Sequence, residues 1–153
     1  MLLIESPHNE RFKKLLKLST DNKFRRQNKV FIIEGLKEIR AALEHNYELE
    51  EVYIDEKYKV AFPEKEFDQV PATMLKHDLF SRLVYREDAS YILAVLKEPI
   101  IDLTQIQLPE NPLIVILENI EKPGNLGAVL RTCDAVGADA VILSQEHHNF
   151  FHP

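Results

Sequence analysis

The chain has one cysteine and no tryptophan among 153 residues. A lone Cys133 excludes an internal disulfide and fits a reducing, cytoplasmic setting. No apolar run approaches the roughly 18 residues that span a bilayer. Met1 to Ser6 has no basic flank, apolar core or small-residue cleavage site. Neither a membrane partner nor a signal peptide is therefore expected. Glycine is scarce, at four residues. A dinucleotide loop needs Gly-x-Gly-x-x-Gly, whereas here only Gly124 and Gly127 stand close together. A phosphate loop needs Gly-Lys-Ser/Thr, which is absent. His147, His148 and His152 lack carboxylate or cysteine partners at a metal-site spacing, so they read as surface histidines and no metal is expected. No triad or carboxylate pair is recognisable.

Positive charge is also lacking, with a formal net charge of −6. Taken whole, that argues mildly against a nucleic-acid partner, but the distribution is uneven. Residues 1–40 hold ten Lys/Arg against five Asp/Glu, and the remainder holds nine against twenty. A basic amino-terminal end on an acidic body can present a local phosphate-binding face. Lys23, Arg25, Arg26 and Lys29 are its densest stretch. A solvated helix face would account for the same charges.

The pattern along the chain is layered α/β. Residues 7–18 read as a helix, with Pro7 in its first turn and Phe12, Leu15 and Leu16 on one face. A polar, basic stretch runs from Asp21 to Lys29. Val30 to Ile33 reads as a strand, Leu36 to His45 as a helix, and Val52 and Ile54 as part of another strand. Met74 to Val84 has Leu75, Leu79, Phe80 and Leu83 at helical spacing. Tyr91 to Leu96 reads as a buried strand. Pro99, Pro109 and Pro112 mark residues 98–112 as a linker. A second unit begins with strand 113–117, passes through a loop into helix 126–136, meets Gly137 as a terminator, and continues in strand 140–143.

The loop and helix of that second unit carry the most information. Strand, turn and helix are the usual scaffold for a site at the carboxyl end of a parallel strand. Leu126, Val129, Leu130, Cys133 and Val136 share one helix face, which makes Cys133 core rather than nucleophile. Arg131 falls about 140° from Leu126 at roughly 100° per residue, away from that stripe. An arginine this near a helix amino terminus opposes the helix dipole, a conflict more often tolerated where function needs it. An exposed arginine paired with Glu121 or Asp134 would explain the position equally. Asn125 sits where an N-cap belongs.

The stretch Pro123-Gly124-Asn125-Leu126-Gly127-Ala128-x-x-Arg131-Thr132, followed by Gly137-Ala138-Asp139, resembles the first motif of the SpoU–TrmH family of RNA ribose 2′-O-methyltransferases. Arg25-Arg26 through Phe31-Ile32-Ile33-Glu34-Gly35 is similar to the start of the substrate-binding domain that precedes the catalytic domain in many members. Ile92-Leu93-Ala94-Val95 resembles that domain's closing strand. The family usually leads into it with a Pro-Gln-Gly-like turn, where this chain has Ala89-Ser90-Tyr91.

The resemblance implies a small ribosomal-protein-like α/β RNA substrate-binding domain over residues 1–97. A linker follows at 98–112, and the first strand-helix-strand of an α/β knot methyltransferase domain at 113–153. The later motifs, which build the S-adenosylmethionine pocket within a knot, have no counterpart here. On this reading no cofactor-binding residue is expected in the chain, methyl transfer by these residues alone is not expected, and the family's homodimer lacks its dimerising region. The resemblance assigns Arg131 to activating the ribose 2′-hydroxyl. A guanidinium with a pKa above about 12 is a poor base, so electrostatic stabilisation and orientation are the better role. Asn125 would position Arg131 or the loop. Lys23, Arg25, Arg26 and Lys29 would hold phosphates of rRNA or tRNA, giving affinity without much sequence choice. A non-catalytic RNA-binding module is the alternative reading.

Overall fold

A computed structural model describes residues 1–84, 90–100, 102, 104, 106–120 and 123–144, with the side chain of Pro123 left aside. The chain divides into two compact units, with the break after Pro99. The first carries strands β1 (Leu2–Ile4), β2 (Val30–Glu34), β3 (Leu49–Asp55), β4 (Ala72–Leu75) and β5 (Ile92–Lys97). Its helices are α1 (Glu10–Thr20), α2 (Asn22–Asn28), α3 (Leu36–Glu44) and α4 (His77–Phe80). Short 3-10 turns at Glu56–Ala61 and Glu64–Glu66 join β3 to β4.

The five strands form one sheet in the order β1-β4-β3-β5-β2. β4 runs parallel to both β1 and β3, while β5 is antiparallel to β3 and β2. Helices cover both faces, so the central strand β5 reads as a continuous apolar run rather than as an alternating one. Successive side chains of a strand point to opposite faces. Val30, Ile32, Leu93 and Val95 accordingly pack with Phe12, Leu15 and Leu18 of α1. Phe31, Ile92, Ala94 and Leu96 pack on the other face with Ile39 and Ala42 of α3.

Several boundaries differ from those the sequence suggests. α1 begins at Glu10 rather than residue 7, because the Asn9 side chain caps it by accepting from Arg11 N at 2.9 Å. The basic stretch 22–28 is a helix, opened by Asp21 Oδ1 accepting from Phe24 N at 3.0 Å. Met74 and Leu75 lie in strand β4, and only His77–Phe80 is helical. Leu75, Leu79, Phe80 and Leu83 are nevertheless all buried. A strand running into a turn happened to reproduce helical spacing.

Gly35 joins β2 to α3 with φ +98° and ψ 138°, a region open in practice only to glycine. Its N–H donates to Ile92 O at 3.0 Å and its carbonyl accepts from Ile39 N at 3.0 Å, so the conformation is held from both sides. A β-carbon there would also run into the Glu38 carboxylate. Gly35→Ala is expected to cost about 1–3 kcal/mol from the backbone alone. Thermal unfolding followed by circular dichroism checks this; an unchanged midpoint would rule it out.

The second unit is a β-α-β element: β6 (Ile114–Leu117), α5 (Pro123–Ala135) and β7 (Ala140–Leu143), with β6 and β7 parallel and Ile114 opposite Ala140. Asp139 fastens its base, accepting from Leu113 N through Oδ2 at 2.8 Å and donating its own N–H to Leu113 O at 2.9 Å. Gly137, at φ +69°, ends α5, and Ala138 N donates back to Cys133 O at 2.9 Å.

Candidate functional site

The four basic candidates do not share one fate. Lys23, Arg26 and Lys29 are exposed on or just after α2. Arg25 is fully buried, the largest residue so enclosed among the described residues. Its Nη1 donates to the carbonyls of Leu18 and, at 3.0 Å, Ser19, and its Nη2 donates to Asn22 Oδ1. These carbonyls belong to the last turn of α1, which lacks intrahelical donors. Burial lowers the pKa of the guanidinium, and the charge of Asp21 opposes that shift. Arg25 is thus a brace between α1 and α2 rather than a group offered to phosphate, a correction to its place among the RNA candidates. The α2 sequence is so polar that only Phe24 hinted at an inward face.

Lys29 adopts a left-handed conformation, φ 52°, that closes α2, and its carbonyl accepts from Glu98 N at 2.8 Å. α1 adds a cation that sequence reasoning passed over: Lys17 Nζ lies 4.3 Å from the centre of the Phe24 ring. Lys14 faces a cleft of about 140 Å³ with Asn28, Glu50, Glu51 and Tyr53. Glu51 is already engaged there, with Arg11 at 2.8 Å and with the Tyr53 hydroxyl donating at 2.6 Å. Burial raises the pKa of Tyr53, and the hydrogen bond to Glu51 adds to the rise. The carboxylates make this cleft unsuited to phosphate.

In the second unit, α5 opens at Pro123, so Asn125 lies inside the first turn and is not the N-cap. Pro is favoured as a first helical residue because its missing N–H has no intrahelical partner to lose. Asn125 and Arg131 are both exposed. Six residues of helix set them about 120° apart at roughly 100° per residue, so the helix alone does not bring them together. Arg131 Nε donates to Gly127 O at 3.3 Å. Among the described residues it makes no ion pair, with Asp134 or otherwise. Glu121, Lys122 and the three late histidines lie outside the described residues.

The apolar stripe of α5 is narrower than its helical wheel suggests. Leu126 and Cys133 are buried, but Leu130 and Val136 are exposed, because a two-stranded sheet covers only a narrow strip of helix. Val115, Ala128, Val129, Thr132, Cys133 and Val136 line a cleft of about 350 Å³. Among the described residues that line it, the side-chain polar groups are one hydroxyl and one thiol. Among the described residues no group of three or more His, Cys, Asp or Glu could hold a metal ion. Among them, too, no helix is long and apolar enough to cross a membrane.

The first unit is an α/β domain with a basic helix beside its sheet, and the second is a parallel β-α-β element bearing an exposed arginine. Residues 9–94 match the MRM3-like substrate binding domain, and residues 112–153 match the SpoU rRNA methylase family. The chain belongs to the SpoU–TrmH family of RNA 2′-O-ribose methyltransferases.

Over 143 residues it is 31% identical to the 23S rRNA (guanosine(2553)-2′-O)-methyltransferase RlmP of Bacillus subtilis, covering 94% of this chain and 54% of the relative. It is 26% identical to the 23S rRNA (uridine(2479)-2′-O)-methyltransferase of Streptomyces viridochromogenes, covering 95% of this chain and 52% of the relative. The crystal structure of an RNA 2′-O ribose methyltransferase superposes with a TM-score of 0.79 at 32% identity, covering 99% of this chain and 58% of that one. The SpoU methyltransferase AviRb of Streptomyces viridochromogenes, solved with AdoMet, gives 0.81 at 25% identity, covering 95% and 57%. The chain thus spans about half the length of these relatives.

Proposed function

We propose that this chain supplies the RNA-binding domain, and the opening of the catalytic domain, of a cytoplasmic enzyme that methylates ribose 2′-hydroxyls of rRNA or tRNA. The methyl donor is S-adenosylmethionine. The observation that carries this reading is the exposed Arg131 on α5, placed directly after a parallel strand in the segment that matches the methylase family. S-adenosylmethionine, when bound by the rest of such a domain, supplies an electrophilic methyl group. The residues of this chain act on the RNA. Arg131 orients the 2′-hydroxyl and stabilises negative charge on its oxygen as the proton leaves. Asn125, in the first turn, serves to position Arg131 or the loop. The residues 98–112 serve as the connection between the two functions. Transfer of labelled methyl to ribosomal RNA, retained at the 2′-position after nucleoside digestion, tests the proposal; label found only on bases would defeat it.

Lys23, Arg26 and Lys29 hold RNA phosphates in this reading. Replacing all three by glutamine is expected to weaken binding to all sequences alike. It should also flatten the dependence of log K on log salt by roughly 2 for a single strand, at about 0.7 per lost contact. An unchanged slope in filter binding would remove these residues from the interface. A second reading, a non-catalytic RNA-binding module, is favoured by the apolar lining of the α5 cleft. Salt-sensitive RNA binding, with no methyl transfer even in a polypeptide that joins these residues to a S-adenosylmethionine pocket, would select it.

A further inference from the structure

A second edge of the first unit carries chemistry that the basic helix does not explain. In register, Ile54 of β3 lies opposite Ile92 of β5, and Asp55 lies opposite Leu75 of β4. The carboxyl ends of β3 and β4 and the amino end of β5 therefore meet at one edge of the sheet. Lys29 precedes Val30, which pairs with Lys97 at the far end of β5, so the basic helix belongs to the opposite edge. Ligands of open sheets with parallel strands settle beyond the strands' carboxyl ends.

At this edge stands a preformed aromatic platform. Tyr58, on the 3-10 turn after β3, stacks on Tyr91 with ring centres 5.5 Å apart and planes 29° from parallel. Tyr91 packs against the core, whereas Tyr58 is 48% exposed. The pair is thus anchored on the core through Tyr91 and half-exposed through Tyr58. Beside it, the buried Asp55 holds three elements together. Its N–H donates to Tyr91 O at 3.0 Å, its Oδ1 accepts from Lys57 N at 3.0 Å, and its Oδ2 lies 2.7 Å from His77 Nδ1. Glu56 Oε1 accepts from His77 N at 3.2 Å, which anchors the backbone of the same residue. The His77 ring is therefore oriented through Nδ1 on a side chain that is 43% exposed, and among the described residues Nε2 has no hydrogen-bond partner. Lys57, Lys59 and Lys76 are exposed on the same turns, against an exposed Asp78.

We propose that this edge is a second RNA contact, where an unpaired base stacks on the half-exposed ring of Tyr58 and His77 Nε2 bonds the ribose or phosphate of the same strand. The inference rests on the RNA reading above and deepens it, because it makes single-stranded RNA the preferred substrate. A rigid ring loses little conformational freedom on binding, and every base offers a π face, so the contact is tolerant of sequence. Lys57, Lys59 and Lys76 stand against Asp55, Glu56 and Asp78, so stacking on the ring rather than net positive charge carries the contact.

The absence of tryptophan makes a direct experiment available. Tyr58→Trp places a single indole at the platform of the full chain, and its fluorescence is expected to be quenched by single-stranded polyuridylate and polyadenylate but not by a fully paired RNA duplex. Tyr58→Ala should weaken single-strand binding by roughly tenfold, the size expected of one base–aromatic stack. Tyr58→Phe should retain it, and duplex binding should not change. His77→Ala should weaken single-strand binding by a few-fold while Tyr58→Trp quenching persists. Tyr58→Ala binding single strands as tightly as the parent chain would overturn the platform and leave the RNA reading standing. Failure of the parent chain to bind any RNA would overturn both. The platform and α2 lie at opposite ends of β5, so their substitutions should act additively.

Discussion

Arg25→Ala is expected to unfold the first unit far more readily, by about 3 kcal/mol, without acting as a phosphate-contact mutation. The side chain is fully buried and spends its donors on the carbonyls of Leu18 and Ser19 and on Asn22. Truncation leaves these acceptors without their donor, at roughly 1–3 kcal/mol for each that stays dry, and opens a cavity under α2. The guanidinium Nε is already buried without a hydrogen-bond partner, which makes the net loss smaller than the number of contacts suggests. Arg25→Lys should recover part of the stability, since an ammonium can reach one carbonyl but cannot span the fork. Lys23→Ala, on the exposed side of the same helix, should stay within about 0.5 kcal/mol. Denaturant midpoints at constant m-value check the difference. A folded Arg25→Ala protein of parental stability with weakened, less salt-dependent RNA binding would instead make Arg25 a phosphate ligand.

That contrast shows where the sequence was readable. β2 and β5 announce themselves because burial writes a short apolar run, whereas β3 was legible only from Val52 and Ile54 set between polar neighbours. Helix α3 was readable because Ile39 is buried beneath an exposed polar face. β1 was not, since three residues at a sheet edge leave no period to detect. α2 was hidden for a different reason: a capping aspartate and an inward arginine hold it together, and polar residues that serve structure look like residues that serve a ligand. The same ambiguity displaced Asn125. Asparagine suits an N-cap, but proline two residues earlier already sets helical backbone torsion, and the helix starts there. The direction of Arg131, away from the Leu126 stripe, was readable because direction follows from helix geometry alone. The Tyr58 platform was not readable, because its two rings come from segments 33 positions apart in the chain that only the β3–β5 register brings together.

Arg131→Ala is expected to abolish most methyl transfer in a polypeptide that joins these residues to a S-adenosylmethionine pocket, lowering kcat by on the order of a hundredfold and leaving KM for RNA nearly unchanged. The reason lies in when the charge is needed. A ribose hydroxyl is neutral on binding, and negative charge grows on its oxygen only as the proton leaves and the new bond forms. A guanidinium placed for that moment contributes little to the ground state, so its loss falls on kcat. The resting geometry agrees with such a role. Arg131 is exposed, and its Nε makes only a 3.3 Å hydrogen bond to Gly127 O on its own helix. That bond is long and solvent-accessible, so exchanging it for a substrate oxygen costs little. Arg131→Lys keeps the charge but loses the planar fork, and should fall between the two. A variant that raises KM and spares kcat would make Arg131 another phosphate contact, and the activation of the 2′-hydroxyl would then have to come from a residue outside α5.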